Sequence, residues 1–317
     1  TPASGSVRLT WEPSDGDGDS PITSQTITPY VDGVAQPSTE VGPSATAATI
    51  TGLENGTTYT FRVRSNNAVG SSPASAPSPA VTPRMTLLDY GTPGSVDSGD
   101  PGAVELGVKF RTSFPGKVHG IRFYKGPGNT GTHVGTLWNS AGQPLASATF
   151  TNESDTGWQT VEFASPVDVA ANTTYIASYH APNGHYSYTS NGLSAAITNG
   201  LLETIPNATS ANGVYAYGPA GTFPQNSWGA TNYFVDVLFT PAPAPTAPTD
   251  VTATAGRNSA TVTWSAPTGG GPATGYVVTP YLGTTAQPAT TVTGSPPPTS
   301  VTINGLTAGE NYRFSVR

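Results

Sequence analysis

The chain has no cysteine and only one methionine. Without a thiol it can form no disulfide, hold no metal through thiolate and use no cysteine nucleophile, so packed cores have to hold it together. Charge is scarce as well: 10% of the 317 residues are Asp, Glu, Lys or Arg, against roughly 25% in an ordinary soluble domain. The balance of 12 basic and 19 acidic residues gives a net charge of -7. That is no footprint for a polyanion, and nucleic acid is excluded as a partner. Apolar runs fall far short of the roughly 20 residues needed to span a bilayer, so no membrane insertion is expected. No signal peptide opens the chain, which reads as a piece of a mature protein.

Glycine (37) and proline (31) are plentiful, and Val, Ile, Thr, Tyr and Phe recur in short alternating runs between them. This pattern predicts many short strands and an all-β chain. The length suits two or three domains, each with its own core.

An internal repeat organises the ends. Val7-Arg8-Leu9-Thr10-Trp11 corresponds to Thr261-Val262-Thr263-Trp264, Ile27-Thr28-Pro29-Tyr30 to Val278-Thr279-Pro280-Tyr281, and Ile50-Thr51-Gly52-Leu53 to Ile303-Asn304-Gly305-Leu306. The segment Gly56–Arg64 likewise matches Gly309–Arg317. Alternation places Tyr59, Phe61 and Val63 on one strand face, and Tyr312, Phe314 and Val316 on another. Both ends resemble fibronectin type III domains. The resemblance implies an immunoglobulin-like sandwich, with Trp11, Leu53, Tyr59, Trp264, Leu306 and Tyr312 in its core. Residues 1–83 form the first such module, with strand A expected to be missing. Residues 249–317 form the second, with strand G expected to be missing. The boundaries of the fragment account for this, or else neighbouring molecules exchange strands and associate end to end. The Pro-rich linker 241–248 favours extended polyproline geometry, which suggests a rod of three domains.

Residues 84–240 read as eight or more strands, among them Gly107–Arg111, Lys117–Tyr124, Thr174–Tyr179, Tyr186–Tyr188, Val214–Tyr217 and Tyr233–Phe239, and suggest a jelly-roll-like sandwich. Glu105–Phe110, Ile121–Lys125, Asn129–Trp138, Gly157–Gln159, Thr174–His180 and Asn232–Phe239 resemble a bacterial family, the domain of unknown function 4082. The resemblance implies part of a large secreted or cell-surface protein and assigns no chemistry.

Several groupings are candidates for chemistry. Asp15-Gly16-Asp17-Gly18-Asp19 alternates carboxylates but lacks the Gly and Glu that complete an EF-hand loop, so it reads as a solvated turn. Asp97, Asp100 and Glu105 near the start of the middle domain, together with Asp236 on its last strand, would share a structural calcium ion if first and last strands adjoin. Otherwise Asp97 and Asp100 cap turns and Asp236 makes a local hydrogen bond. His180 and His185 bracket Ala181-Pro182-Asn183-Gly184, a hairpin-like sequence across which two imidazoles would face each other, and His133 is a further contact candidate. Aromatics crowd the last third of the domain. Tyr215 and Tyr217 would share one strand face, Tyr186 and Tyr188 another, and Trp228 sits in a polar loop. Rings amid amides suit a glycan or a neighbouring surface protein, the alternative for each being a place in the core. Motifs of hydrolases, kinases and metalloproteases are missing, and Glu153 with Asp155 is no better than a turn.

These features suggest a non-catalytic, extracellular or cell-surface fragment whose middle domain binds carbohydrate. A structural stalk or filament segment, and an accessory region of a secreted polysaccharide-degrading enzyme, are the alternatives.

Overall fold

The structure, a computed structural model, describes residues 2–13, 16 and 19–317. Of the acidic run, Asp15, Asp17 and Gly18 lie outside the described residues. Every regular element described is a strand. The chain divides into two compact units, Thr1–Pro241 and Ala242–Arg317.

The first unit opens with β1 (Pro2–Ala3), β2 (Ser6–Thr10), β3 (Ile22–Val31), β4 (Val34–Ala35), β5 (Thr39–Val41), β6 (Ala47–Thr51) and β7 (Thr60–Asn67). These make two sheets, β1-β2-β6 and β4-β3-β5 with β7 also on β3. Only the two residues of β1 stand where a full first strand would. Val7, Ile27, Ile50, Tyr59 and Phe61 meet between the sheets, as alternation predicts. The Tyr59 hydroxyl accepts the amide of Glu54 at 3.1 Å, closing a tyrosine corner.

The free edge of β7 is covered by a proline-rich segment that cannot form a normal ladder. Serine replaces the missing pairs at every third residue. The amides of Ser72, Ser75 and Ser78 donate to the carbonyls of Ser65, Val63 and Phe61. The three serine Oγ atoms accept the amides of those same residues at 3.0–3.1 Å.

The middle domain contains β8 (Val104–Thr112), β9 (Gly116–Lys125), β10 (Val134–Asn139), β11 (Pro144–Thr149), β12 (Gly157–Val169), β13 (Tyr175–Ala181), β14 (Thr198–Asn199), β15 (Leu202–Thr204), β16 (Val214–Tyr217), β17 (Asn226–Ser227) and β18 (Val235–Pro241). One sheet runs β11-β10-β13-β8-β15-β14, with β16 and β17 added on the β8 edge, and the other runs β12-β9-β18. Strands β15 and β16 share one edge of β8. In the gap between them the Asn212 side chain takes both backbone groups of Lys109, at 2.8 and 2.9 Å. The core between the sheets includes Leu106, Val108, Phe110, Ile121, Phe123, Tyr179, Val237 and Phe239. Phe123 stacks on Tyr179 at 4.0 Å.

The strand expected at Tyr186–Tyr188 does not form: Tyr188 makes a single bridge to Ser95. The expected hairpin after His180 also fails, because the amide of His185 goes to the carbonyl of Asp100 rather than back to β13.

First module and middle domain are joined through a buried cation. Arg122 of β9 and Asp236 of β18, both fully buried, lie 3.3 Å apart. Arg122 also donates to the carbonyls of Pro2 and Asp89, and its guanidinium lies 4.2 Å from the Trp158 ring. Asp236 accepts the amides of Leu87, Leu88 and Val237 at 2.7–3.1 Å. Around this pair the Ser4 amide donates to Asp89, and Asn199 donates to both Thr86 and Asp89.

The second unit holds β19 (Thr249–Gly256), β20 (Ser259–Ser265), β21 (Gly275–Leu282), β22 (Thr285–Ala286), β23 (Thr290–Thr293), β24 (Ser300–Asn304) and β25 (Tyr312–Val316). Its sheets are β19-β20-β24 and β22-β21-β23 with β25 on β21. The linker is not free of it: Pro243 and Thr246 bond the loop at Gly271 and Gly269. The two modules differ at their core tryptophans. Trp11 donates to Gln25, whereas Trp264 has the edge of Tyr276 at 5.1 Å and no hydrogen-bond partner for its indole N–H.

Asp236→Ala leaves the Arg122 charge buried beside three unpaired amides. It is expected to destabilise the first unit by about 3–5 kcal/mol, read as the shift of its urea unfolding curve. A loss under about 1 kcal/mol would show that the pair is not what holds this junction.

Candidate functional site

Two groupings of the middle domain gather the residues that the sequence singles out, in combinations the sequence does not show. The first is aromatic. Strand β16 alternates, burying Val214 and Ala216 and turning Tyr215 and Tyr217 to the other side. Their rings meet edge to face at 5.8 Å. Tyr215 reaches Tyr233 at 6.4 Å, Tyr233 reaches Tyr186 at 5.6 Å, and Tyr186 reaches Tyr188 at 6.3 Å. Tyr186, Tyr188 and Tyr215 are half-buried against the core and Tyr233 is buried in it. Tyr217 is 56% exposed. Its hydroxyl donates to Asp100, which, ahead of the desolvation of the ring, holds the phenol above its ordinary pKa.

Asp100 comes from the loop before β8, which lies against the turn 181–185. Asp97 Oδ1 accepts the Gly99 amide and meets His185 Nδ1 at 2.9 Å. These two contacts, the amide first, hold the carboxyl below its usual range. Gly184 sits so close to the carbonyl of Asp100 that a Cβ there would approach it to 2.0 Å, which accounts for the glycine. Trp228, 74% exposed, stands apart from this group. It follows β17, whose Ser227 pairs with Val214 at the start of β16, whereas Tyr217 ends β16. At the rise of a strand this register sets the two residues roughly 10–14 Å apart along the backbone.

The second grouping lies on the outward face of the large sheet. Glu105 pairs in register with His180, and Ser178 precedes His180 by one alternation. Trp138 Nε1 donates to Ser178 Oγ at 2.7 Å, and Ser178 Oγ donates to Glu105 Oε1 at 2.5 Å. Glu105 Oε2 receives the Gly221 amide at 3.4 Å and lies 3.6 Å from His180 Nδ1. The loop from Gly218 to Phe223 covers this face, with Phe223 5.5 Å from Trp138. Burial without a neighbouring Lys or Arg pushes the Glu105 carboxyl up to about 7. Ser178 and His180 are not bonded to each other, so they do not form a nucleophile and its base.

The expected calcium site is not assembled. Asp236 is taken by Arg122 and three amides, Glu105 by Ser178, and Asp97 and Asp100 by turn amides and, respectively, His185 and Tyr217. First and last strands of the domain fall in opposite sheets, and no group of three or more metal-ligating side chains occurs among the described residues. His180 and His185 do not face each other: each points to a different carboxylate. His133 is buried between Glu153 and Asn129, and Glu153 also pairs with Lys125, so neither is a surface contact.

Sequence comparison bears out the module organisation. Residues 2–81 and 246–317 match the fibronectin type III domain. Residues 90–235 match the domain of unknown function DUF4082. No curated protein is significantly similar to the chain. Among solved structures, the FN1–FN3 domains of chicken CNTN1 align over 100% of this chain and 89% of that one, at 15% identity and a TM-score of 0.24. Fibronectin type III modules around DUF4082 make this a multidomain chain of extracellular type, built from domains that are typically non-catalytic.

In the DUF4082 domain, Trp228→Ala is expected to change thermal stability by no more than about 0.5 kcal/mol, as a surface substitution. Tyr233→Ala opens a core cavity and is expected to cost about 3 kcal/mol or more. Equal effects of the two in a melting experiment would contradict this division between surface and core. Melting points with calcium and with chelator are expected to coincide, since a folded-state site would raise the former.

Proposed function

We propose that the chain is a non-catalytic part of a bacterial secreted or cell-surface protein whose DUF4082 domain binds carbohydrate, with the fibronectin type III modules spacing it. The observation that carries this reading is Tyr217, an exposed ring held edge to face by Tyr215 and tied to the carboxylate of Asp100. A pyranose presents a face of C–H bonds that stacks on such a ring, and its hydroxyls donate to a carboxylate beside it. A ring already fixed in place loses little conformational entropy on binding. Asp97 and Asp100 are the carboxylates of this rim. Neutral or amino sugars suit it better than sulfated or uronic glycans. Trp228, at the far end of β16, offers a second stacking face.

A glycan array followed by titration calorimetry on the intact chain tests the proposal. Tyr217→Ala is expected to weaken binding at least tenfold and Trp228→Ala to weaken it further. Failure to bind any glycan, or binding unchanged by both substitutions, would refute the carbohydrate reading.

A stalk is the second reading, favoured by the buried joint between first module and DUF4082 domain, which makes one compact body of them. In that role Tyr217→Ala and Trp228→Ala would alter self-association in sedimentation velocity and leave glycans unbound.

A further inference from the structure

The DUF4082 domain buries an acid and a base side by side and leaves both incompletely satisfied. Glu105 is 0% exposed, and no cation is close to it. His180 is 5% exposed, and its Nδ1 has no hydrogen-bond partner. The groups around Glu105 are few. Ser178 and His180 come from β13, the Trp138 indole and the Thr136 carbonyl reach Ser178 from β10, Ala216 is the register partner on β16, and the Gly221 amide comes from the covering loop. Among these, Glu105 and His180 are the titratable side chains; burial first, and then the electrostatic effect of His133, lowers the pKa of His180.

A single proton on Glu105 Oε2 answers both deficits. It neutralises the buried carboxylate, and it gives Nδ1 of a neutral His180 a donor. The atoms stand 3.6 Å apart, so a shift of under about an ångström brings them into hydrogen-bond range. Oε1 meanwhile keeps the hydrogen bond from Ser178, which in turn holds Trp138. Ionised, Glu105 would be an uncompensated charge in a dry site and would draw water beneath the loop.

We propose that Glu105 and His180 share one proton that keeps the loop Gly218–Phe223 closed over the sheet, and that loss of this proton opens the loop. The loop follows Tyr217 directly and is fastened at three places: the Gly218 amide on the Ala103 carbonyl, the Gly221 amide on Glu105, and the Phe223 ring on Trp138. Opening it frees the end of β16 that carries Tyr217. The latch does not rest on the ligand of Tyr217.

The carboxyl of Glu105 stands at about 7 in the closed domain, against 4.5 when solvated. Closure is therefore favoured fully below pH 4.5, weakens as pH rises, and loses this contribution above about 7. Burial lowers the pKa of His180, so it stays neutral and able to accept over the upper part of this range.

The test is amide hydrogen exchange in the intact chain from pH 5 to pH 9, with protection at Gly221, Thr222 and Phe223 corrected for the intrinsic rate. In the wild type, protection is expected to fall by up to roughly tenfold per pH unit between pH 5 and 7 and then level off. Glu105→Gln is neutral at every pH, and its amide can donate to His180 Nδ1, so its protection is expected to be flat. Wild-type protection that does not depend on pH overturns the proposal by itself, whether or not the variant folds. The same pH course in Glu105→Gln also overturns it. Zinc added at pH 8 is the last arm: protection raised in the wild type and not in the variant would make the pair a cation site and end the shared-proton reading, whereas no response to zinc supports it.

Discussion

The Arg122–Asp236 pair is the interaction on which the first 241 residues depend. An arginine on the middle strand of the small sheet, removed from water, needs a counter-charge and acceptors on every side. Asp236 supplies the charge from the next strand, the carbonyls of Pro2 and Asp89 accept from Nη1 and Nη2, and Trp158 covers the cation, while the buried Nε–H has no partner. Because one of these partners belongs to the first module, burying the charge and docking that module are the same event. A joint built this way is specific rather than strongly cohesive, since desolvation offsets much of the attraction. Removing Asp236 leaves a buried charge with nothing to balance it.

With the small sheet committed to that joint, the large sheet carries what is left for recognition. Its inward residues fill the core in the usual alternation. Its outward face is covered by the loop after β16, so Glu105, Ser178 and His180 are buried although they point away from the core. The edge formed by β16 is where aromatic side chains pass from core to solvent, from buried Tyr233 through half-buried Tyr215 to exposed Tyr217. Rigidity and access thus occur together at one place, which is the physical condition for binding a ligand through stacking.

Much of the fold is legible in the sequence because it rests on local signals. The repeat of Trp, Leu and Tyr positions marks both fibronectin type III modules, and short runs rich in Val, Ile, Tyr and Phe between turn residues mark β8, β9, β13 and β16. A further local signal is a five-residue interval: Ala170 to Tyr175 repeats the corner seen at Glu54 to Tyr59 and Thr307 to Tyr312, each tyrosine hydroxyl accepting an amide five residues earlier. The spacing of Ser72, Ser75 and Ser78 was another, a three-residue period that a proline-rich edge segment needs in order to satisfy a two-residue strand. Tyr186–Tyr188 looked like a strand for the opposite reason. Its alternation is real, but the neighbours that would pair with it are loops.

The sequence by itself determined three β-domains, their order, their hydrophobic faces and the aromatic richness of the middle one, because each of these depends on residues close together in the chain. Only the tertiary structure decided which polar side chains are partners. Asp236 was sorted by sequence with Asp97, Asp100 and Glu105 as a fellow carboxylate, and His180 with His185 as a near neighbour. Packing instead gave Asp236 to Arg122, 114 positions before it in the numbering of the chain, and set Glu105 beside His180. The reason is that burial makes an isolated charge intolerable, so partners are chosen by which strands adjoin and which way they face. Strand adjacency is a property of the folded sheet and is not written in the spacing of residues along the chain.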